Sequence, residues 1–352
     1  MIAATVERME LAPGYSVSRI VKGGWHLAGG HGSIDRRQAI IDMAEFVEAG
    51  ITTFDCADHY TGVEELIGDF RAAYPSLAAA VQIHTKCVPD YQRMTSCDRP
   101  YLQGIIDRSL QRLRVEQLDL VQFHWWNFAQ QGYIEAMAVL KDLQRDGKIR
   151  YLGLNNSNTT RTRELLDAGI PLLSTQIQYS PIDTRPERGL LQLSAQRQVA
   201  LLCYGSIAGG FIAERWLGAP ELSEADGSFE NRSLTKYKLI IEDAGGWVWF
   251  QTLLQTLAMI ANTHNVEIAQ VATRWVLDRP QVVCAIVGAT STRHWRENLR
   301  VFELRLSADE HATIREVMRV RTELAGDVYD LERDKTGRHG RIMRYNLNVG
   351  QH

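Results

Sequence analysis

The chain has 352 residues, 45% hydrophobic and 23% charged, enough for one large α/β domain or two small ones. A net charge of −3 and a pI near 6.4 leave no basic footprint for nucleic acid or an anionic membrane. The opening MIAATVERMEL has no basic-then-apolar signal pattern, no run approaches ~18 uncharged apolar residues, and the five cysteines form no CxxC pair. The expectation is a cytoplasmic soluble protein with reduced thiols.

Pro13-Gly14 suits a hairpin leading into a first barrel-type strand, Arg19-Ile20-Val21, closed by Gly23-Gly24-Trp25-His26. Residues 34–49 place Ile40, Ile41, Ala44 and Val47 at helical spacing, with Gly50 as the C-cap residue. Residues 51–54 are β-branched and aromatic, a second strand that delivers Asp55, Asp58, His59 and Tyr60 before a turn at Thr61-Gly62. The helix that follows carries Leu66 and Ile67 on one side, flanked by Glu64, Glu65 and Asp69. Further strands are read at 81–86, 118–124, 151–156, 174–179, 200–204 and 282–287. Helices between them fall at about 100–114, 133–146, 160–168, 187–198 and 292–302.

Eight strand-then-helix units fit an α/β (β/α)₈ TIM barrel occupying 1–352 as a single domain. A doubly wound sheet competes, but Gly23-Gly24-Trp25 opens no GxGxxG fingerprint. Two parts lie outside the repeat: a long loop at 207–246 after strand seven, and an extension at about 321–352 without helical spacing. Both are expected to cover the barrel mouth, a disordered tail being the alternative.

The last polar residues of the early strands are Asp55 with Tyr60, Lys86 and His124, which a barrel brings to one cavity. A free phenol, with a pKa near ~10, is a weak acid at neutral pH. An ammonium fixed by a carboxylate lowers that value, and an imidazole orients a substrate or relays a proton. Read singly, Lys86 and Asp55 also fit a buried structural ion pair, and His124 a satisfied core histidine. Trp25, Trp125 and Trp126 follow strand ends and could line an apolar substrate pocket or simply pack in the core. His26, His31 and His59 lack metal-ligand spacing, so no metal is assigned.

Asp55-Cys-Ala-Asp-His-Tyr60 with Glu64-Glu65-Leu66-Ile67-Gly68 closely resembles the aldo-keto reductase signature. Lys86, and His124 after Asp119-Leu-Val-Gln-Phe, look like that family's other two catalytic positions. Tyr151-Leu-Gly-Leu-Asn155-Asn156 is similar to its Ile-Gly-Val-Ser-Asn segment, and Gln176 to the Asn-Gln that follows. Tyr204-Gly-Ser206-Ile-Ala208-Gly-Gly210 resembles its Tyr-Ser-Pro-Leu loop, and Val287-Gly288-Ala289 through Glu297-Asn298-Leu299 its cofactor-phosphate segment. The resemblance runs over roughly residues 15–305.

It implies a (β/α)₈ NAD(P)H-dependent oxidoreductase acting on a small carbonyl or sugar substrate. Tyr60 would be the general acid, tuned by Lys86 and Asp55, with His124 orienting the carbonyl. Asn156 and Gln176, with Asn155, would hold the nicotinamide carboxamide under a stacked Tyr204. Gly24, Trp25, Ser206, Ala208, Gly288, Thr290, Arg293, His294, Glu297 and Asn298 join them as candidate cofactor-binding residues. Asn155 replaces the family's Ser and Val287 its Pro, and the phosphate segment carries Thr290-Ser291, Arg293 and His294 where basic residues are common. Arg293 is able to pair with a 2′-phosphate, so NADP is the expected cofactor, with NAD open. Two other functions compete: a regulatory subunit that senses the cofactor, and a barrel aldolase or isomerase forming a Schiff base on Lys86.

Overall fold

The computed structural model describes residues 5–28, 34–222, 232–288, 298–343 and 345. The N-terminal hairpin pairs β1 (Arg8–Ala12) antiparallel with β2 (Tyr15–Ser18) around Pro13-Gly14. Gly14 has φ +71° there, a conformation its missing Cβ permits. Eight parallel strands then close a barrel: β3 (Ile20–Gly23), β4 (Thr53–Asp55), β5 (Gln82–Cys87), β6 (Leu118–Phe123), β7 (Ile149–Asn155), β8 (Leu172–Gln178), β9 (Ala200–Tyr204) and β10 (Val282–Gly288). They run in chain order, and β10 pairs with both β9 and β3, so no edge remains open.

Helices α1 (Arg36–Glu48), α2 (Val63–Ala73), α3 (Pro75–Ala78), α4 (Arg99–Leu113), α5 (Tyr133–Arg145), α6 (Thr159–Asp167) and α7 (Leu190–Arg197) connect the strands. Their limits follow the expected punctuation. The side chain of Asp35 accepts from the backbone N–H groups of Arg37 and Gln38 at the start of α1, and Gly50 leaves its end with φ +93°. Strand alternation sorts the side chains. In β5, Thr85 faces outward and donates 2.6 Å to Oε1 of Glu64 on α2, while His84 and Lys86 point into the barrel. Below the catalytic end, Tyr15 of the hairpin plugs the barrel with its hydroxyl 3.1 Å from Nε2 of His84.

The segment after β9 departs from the expectation of one long loop. It contains α8 (Arg232–Ala244), and the stretch beyond 246, unassigned from sequence, supplies nearly all of α9 (Gly246–His264) and all of α10 (Ile268–Leu277). Gly245 (φ +137°) and Gly246 (φ +77°) make the corner between α8 and α9 rather than marking a loop. α9 has no charged residue and buries Trp247, Phe250, Leu253, Leu254, Leu257 and Ala261 as a broad apolar face, so its periodicity is hard to see in composition.

The described part of the tail is docked, not disordered. After a helix at Ala308–Arg319, turns at Asp330–Arg333 and Arg338–Arg341 cross the barrel mouth. Asp327 accepts from the N–H of Thr159 at the start of α6 (2.8 Å), and both oxygens of Glu332 meet the guanidinium of Arg185 at 3.1 Å. The helix expected at 292–302 lies mostly outside the described residues, which show a 3₁₀ turn at Arg300–Phe302. Among the described residues, no helix is long and apolar enough to cross a membrane, and no cluster of three metal-ligating side chains occurs.

Candidate active site

The carboxyl ends of the strands open on a cleft of about 840 Å³. Asp55 ends β4 and Lys86 leaves β5 beside it, with the Lys86 ammonium 2.7 Å from Oδ2 of Asp55 and 2.8 Å from the carbonyl of Cys56. The same Nζ stands 4.9 Å from the centre of the Tyr60 ring. Desolvation works to lower the Lys86 pKa, but Asp55 and Tyr60 outweigh it and hold the amine well above the usual lysine value. Burial raises the Tyr60 phenol above its ordinary value, while Lys86 pulls it back. The phenol is therefore not lowered, as the sequence suggested. At this buried hydroxyl desolvation exceeds the ammonium's effect.

His124 follows β6 and is 2% exposed. Its Nδ1 lies 3.1 Å from the carbonyl of Asn155, and its Nε2 has no hydrogen-bond partner among the described residues. Burial, with the nearby Arg333 charge, depresses its pKa well below the usual imidazole range, so it is neutral at physiological pH. A neutral ring bonded at Nδ1 to a carbonyl donates there and exposes Nε2 as an acceptor.

Beneath them lies a closed amide network. Gln176 on β8 donates to Oδ1 of Asp55 (2.5 Å) and to Oε1 of Gln122 (3.0 Å), and Gln122 donates to the same carboxylate oxygen (3.1 Å). Asn155 donates to Gln176 (3.2 Å), Asn156 to Asn155 (3.3 Å), and the Tyr204 hydroxyl to Asn156 (2.8 Å). Asn156, just past β7, has φ +56°, a left-handed conformation that asparagine tolerates.

The Aldo/keto reductase family model matches residues 19–319. The chain belongs to the aldo/keto reductase family. Its closed eight-stranded parallel barrel is the fold of that family's solved structures, and aldo/keto reductases are NAD(P)H-dependent oxidoreductases. The thermostable aldo-keto reductase Tm1743 is 25% identical, covers 88% of this chain and 99% of its own, and superimposes with a TM-score of 0.69. An aldo-keto reductase of Schizosaccharomyces pombe, named yakc [NADP(+)], is 25% identical over 84% of this chain and 85% of its own length. The NADH-specific methylglyoxal reductase of Escherichia coli is 25% identical over 86% and 95%. Flagellar radial spoke protein 5 of Chlamydomonas reinhardtii is 27% identical over 74% of this chain, which spans 59% of that longer protein.

The aldo/keto reductase barrel brings together Asp55, Tyr60, Lys86, His124, Asn155, Asn156, Gln176 and Tyr204, all in the cleft wall. Trp25 and Trp126 join them: Trp25 packs 5.1 Å from Tyr60, and Trp126 meets His124 edge-on at 4.4 Å. Trp125 does not. It is 1% exposed, donates to the carbonyl of Gln130 and packs on Phe123 and Tyr133, because successive residues point opposite ways. Ser206 lines the cleft with its hydroxyl 3.2 Å from that of Thr273.

Gly24 lies behind the wall. Its N–H donates 2.7 Å to the carbonyl of Asp55, and a Cβ would come within 2.8 Å of that oxygen. Ala208 is fully buried and outside the wall, and Asn298 is half-buried and also outside it. Gly288 lines the cleft under the His26 ring, where a Cβ would sit 1.8 Å from the imidazole. Thr290, Arg293, His294 and Glu297 lie outside the described residues.

Gln122, Lys236, Tyr329 and Arg333 are among the cleft or near-cleft residues that escaped the sequence reading. Gln122 precedes His124 by one strand period, which places both on the inward face and was a readable signal. Lys236 sits on α8, whose Leu234, Tyr237, Ile240, Ile241 and Ala244 have helical spacing. Tyr329, in the wall, and Arg333, beside it, come from the tail; Arg333 donates to the carbonyls of Trp125 and Asn156. No local pattern marks these two.

Proposed function

We propose that this aldo/keto reductase reduces a small aldehyde, ketone or sugar-type carbonyl, with Tyr60 as the proton donor. The observation that carries the reading is the position of one buried ammonium, Lys86, against both the Asp55 carboxylate and the Tyr60 ring. Nicotinamide, when bound, supplies the hydride. The neutral Tyr60 hydroxyl gives its proton to the carbonyl oxygen as negative charge develops there. The Lys86 charge stabilises the phenolate that this leaves, and Asp55 keeps Lys86 in place. His124 orients the reacting group with its unpartnered Nε2, which accepts from a substrate or product hydroxyl while Nδ1–H is held by the Asn155 carbonyl.

Asn155, Asn156 and Gln176 would hold the nicotinamide carboxamide, and Tyr204 would face the ring. These side chains fit that group because they form a pre-oriented run of amide donors and acceptors in the cleft wall. NADP is the cofactor we assign, on Arg293 as a partner for a 2′-phosphate; relatives named for NADP(+) and for NADH lie at equal identity.

The test is Tyr60→Phe. NADPH binding, read by fluorescence titration, is expected to persist while kcat/KM on a model aldehyde falls ~10²-fold or more. Unchanged turnover removes Tyr60 from the mechanism. Absence of wild-type turnover across a broad carbonyl panel points to a cofactor-sensing subunit, and borohydride trapping of substrate on Lys86 to Schiff-base chemistry. Parallel NADPH and NADH titrations decide the cofactor.

A further inference from the structure

The cleft holds a second lysine that the proton-transfer scheme does not use. Lys236 lies in the first turns of α8, and its ammonium reaches the cleft wall among the rings of Tyr204, Tyr237 and Tyr329, at 5.1, 5.5 and 5.3 Å from their centres. Among the described residues its nearest acceptors are distant: the Tyr204 hydroxyl at 3.5 Å and Oε1 of Glu332 at 3.8 Å. Glu332 itself is held by Arg185, which also grips Asp183. Lys236 balances the charge of that group of four, yet an ammonium serving only that end would close on Glu332. Instead it stands off, making only these two long contacts with acceptors among the described residues.

The unneutralised charge of the cleft wall has one sign. Among the described residues of the cleft wall, Asp55 is neutralised by Lys86, and the remaining charged side chains are Lys236 and Arg341. Position narrows the ligand. The Tyr329 ring lies 5.8 Å from the His124 ring and 5.3 Å from the Lys236 ammonium, so one aromatic ring separates the carbonyl-orienting imidazole from the cation.

We propose that Lys236 binds an anionic group, carboxylate or phosphate, carried by the substrate about one ring's width from its reacting carbonyl. This rests on the carbonyl-reductase reading above and names its substrate class. A partly desolvated ammonium flanked by aromatic rings attracts such a group more strongly than an exposed one would, since little water competes for it.

The test compares 4-carboxybenzaldehyde with its neutral amide, 4-carbamoylbenzaldehyde, in wild type, Lys236→Met and Lys236→Arg. Wild type is expected to favour the carboxylate in kcat/KM by ~10-fold or more. In Lys236→Met that ratio falls to about one, through KM of the charged aldehyde, while Lys236→Arg keeps most of it. Glyceraldehyde 3-phosphate against glyceraldehyde gives the phosphate arm; preference in either arm supports the site and says which anion it takes. No preference in either arm of wild type, or a preference that survives in Lys236→Met, overturns the proposal. So does loss of NADPH affinity in Lys236→Met with the ratio unmoved, which would assign the anion to the dinucleotide. If no aldehyde is reduced, the carbonyl-reductase reading falls. The anion site is then judged by calorimetric titration of terephthalate, where binding lost in Lys236→Met supports it and equal or absent binding overturns it.

Discussion

Nζ of Lys86 stands 2.7 Å from Oδ2 of Asp55, and the register of two neighbouring strands puts it there. β4 pairs with β5 so that Asp55 faces His84, and Lys86 is one inward position further on. The other oxygen of Asp55 is held by Gln122 and Gln176. The carboxylate is thus pinned on both sides before it acts on the lysine.

Lys86→Met is expected to lower kcat by ~10²-fold or more with NADPH binding retained in a fluorescence titration. The pH profile gives a second reading. Tyr60 donates only when protonated, and burial raises its pKa, so carbonyl reduction should stay level through neutral pH and decline only as alkaline pH removes that proton. Without the Lys86 charge the phenol rises further, and the alkaline decline should move to higher pH. A decline that moves the other way contradicts the assignment.

Gln122→Leu takes one of two amide donors from Asp55 Oδ1 and leaves Gln176 without its Gln122 acceptor. We expect kcat to fall ~10-fold and the alkaline limb to shift, with a smaller change in NADPH affinity. An unaltered pH profile with a merely lower melting temperature would make Gln122 a packing residue.

Glu332→Ala strips Arg185 of a fully buried partner and Lys236 of a more distant countercharge. Breaking such a pair costs about 3–5 kcal/mol, to be read from urea unfolding. Burial opposes the Glu332 charge, but Arg185 and Lys236 outweigh it and bring the carboxyl down to about 2. A carboxyl depressed in the folded state contributes stability above its unfolded pKa and loses it as pH falls through about 2. The gap between wild type and Glu332→Gln should therefore narrow between pH 5 and pH 2.

Glu64 behaves oppositely. Buried in the first turn of α2, it is pushed up to about 7 by desolvation, against the Thr85 hydroxyl and Arg112. A carboxyl raised in the folded state is least costly below its unfolded pKa, and stability is lost as pH rises through about 7. Glu64→Gln keeps an acceptor for Thr85 and removes the ionisation. Its melting temperature relative to wild type should climb from pH 5 to pH 8, with an effect on the order of 1–3 kcal/mol. A flat difference would show that Arg112 already compensates the charge.

The barrel was legible because each strand is a short apolar run closed by a polar residue, and β-strand alternation says which side chain enters the lumen. Trp125 was grouped with Trp126 because both follow a strand end, but the same alternation separates them: His124 and Trp126 face the cleft, and Trp125 between them packs behind it. The glycine corner between α8 and α9 hid two helices, because a Gly-Gly pair marks a loop and a tight helix junction alike.

From sequence alone came the eight strands, the residues that end them, and the carboxylate, phenol, ammonium and imidazole that chemistry would gather. Local pattern suffices there, because strand periodicity and punctuation are written within a few neighbouring residues. Only the tertiary structure decided that Gln122 braces Asp55, that Lys236 enters the cleft from α8, and that Tyr329 and Arg333 return from the tail to meet His124 and Asn156. Those contacts join residues as much as 205 positions apart, from His124 to Tyr329, and they exist because barrel closure and the burial of Glu332 against Arg185 bring the C-terminal tail over the mouth.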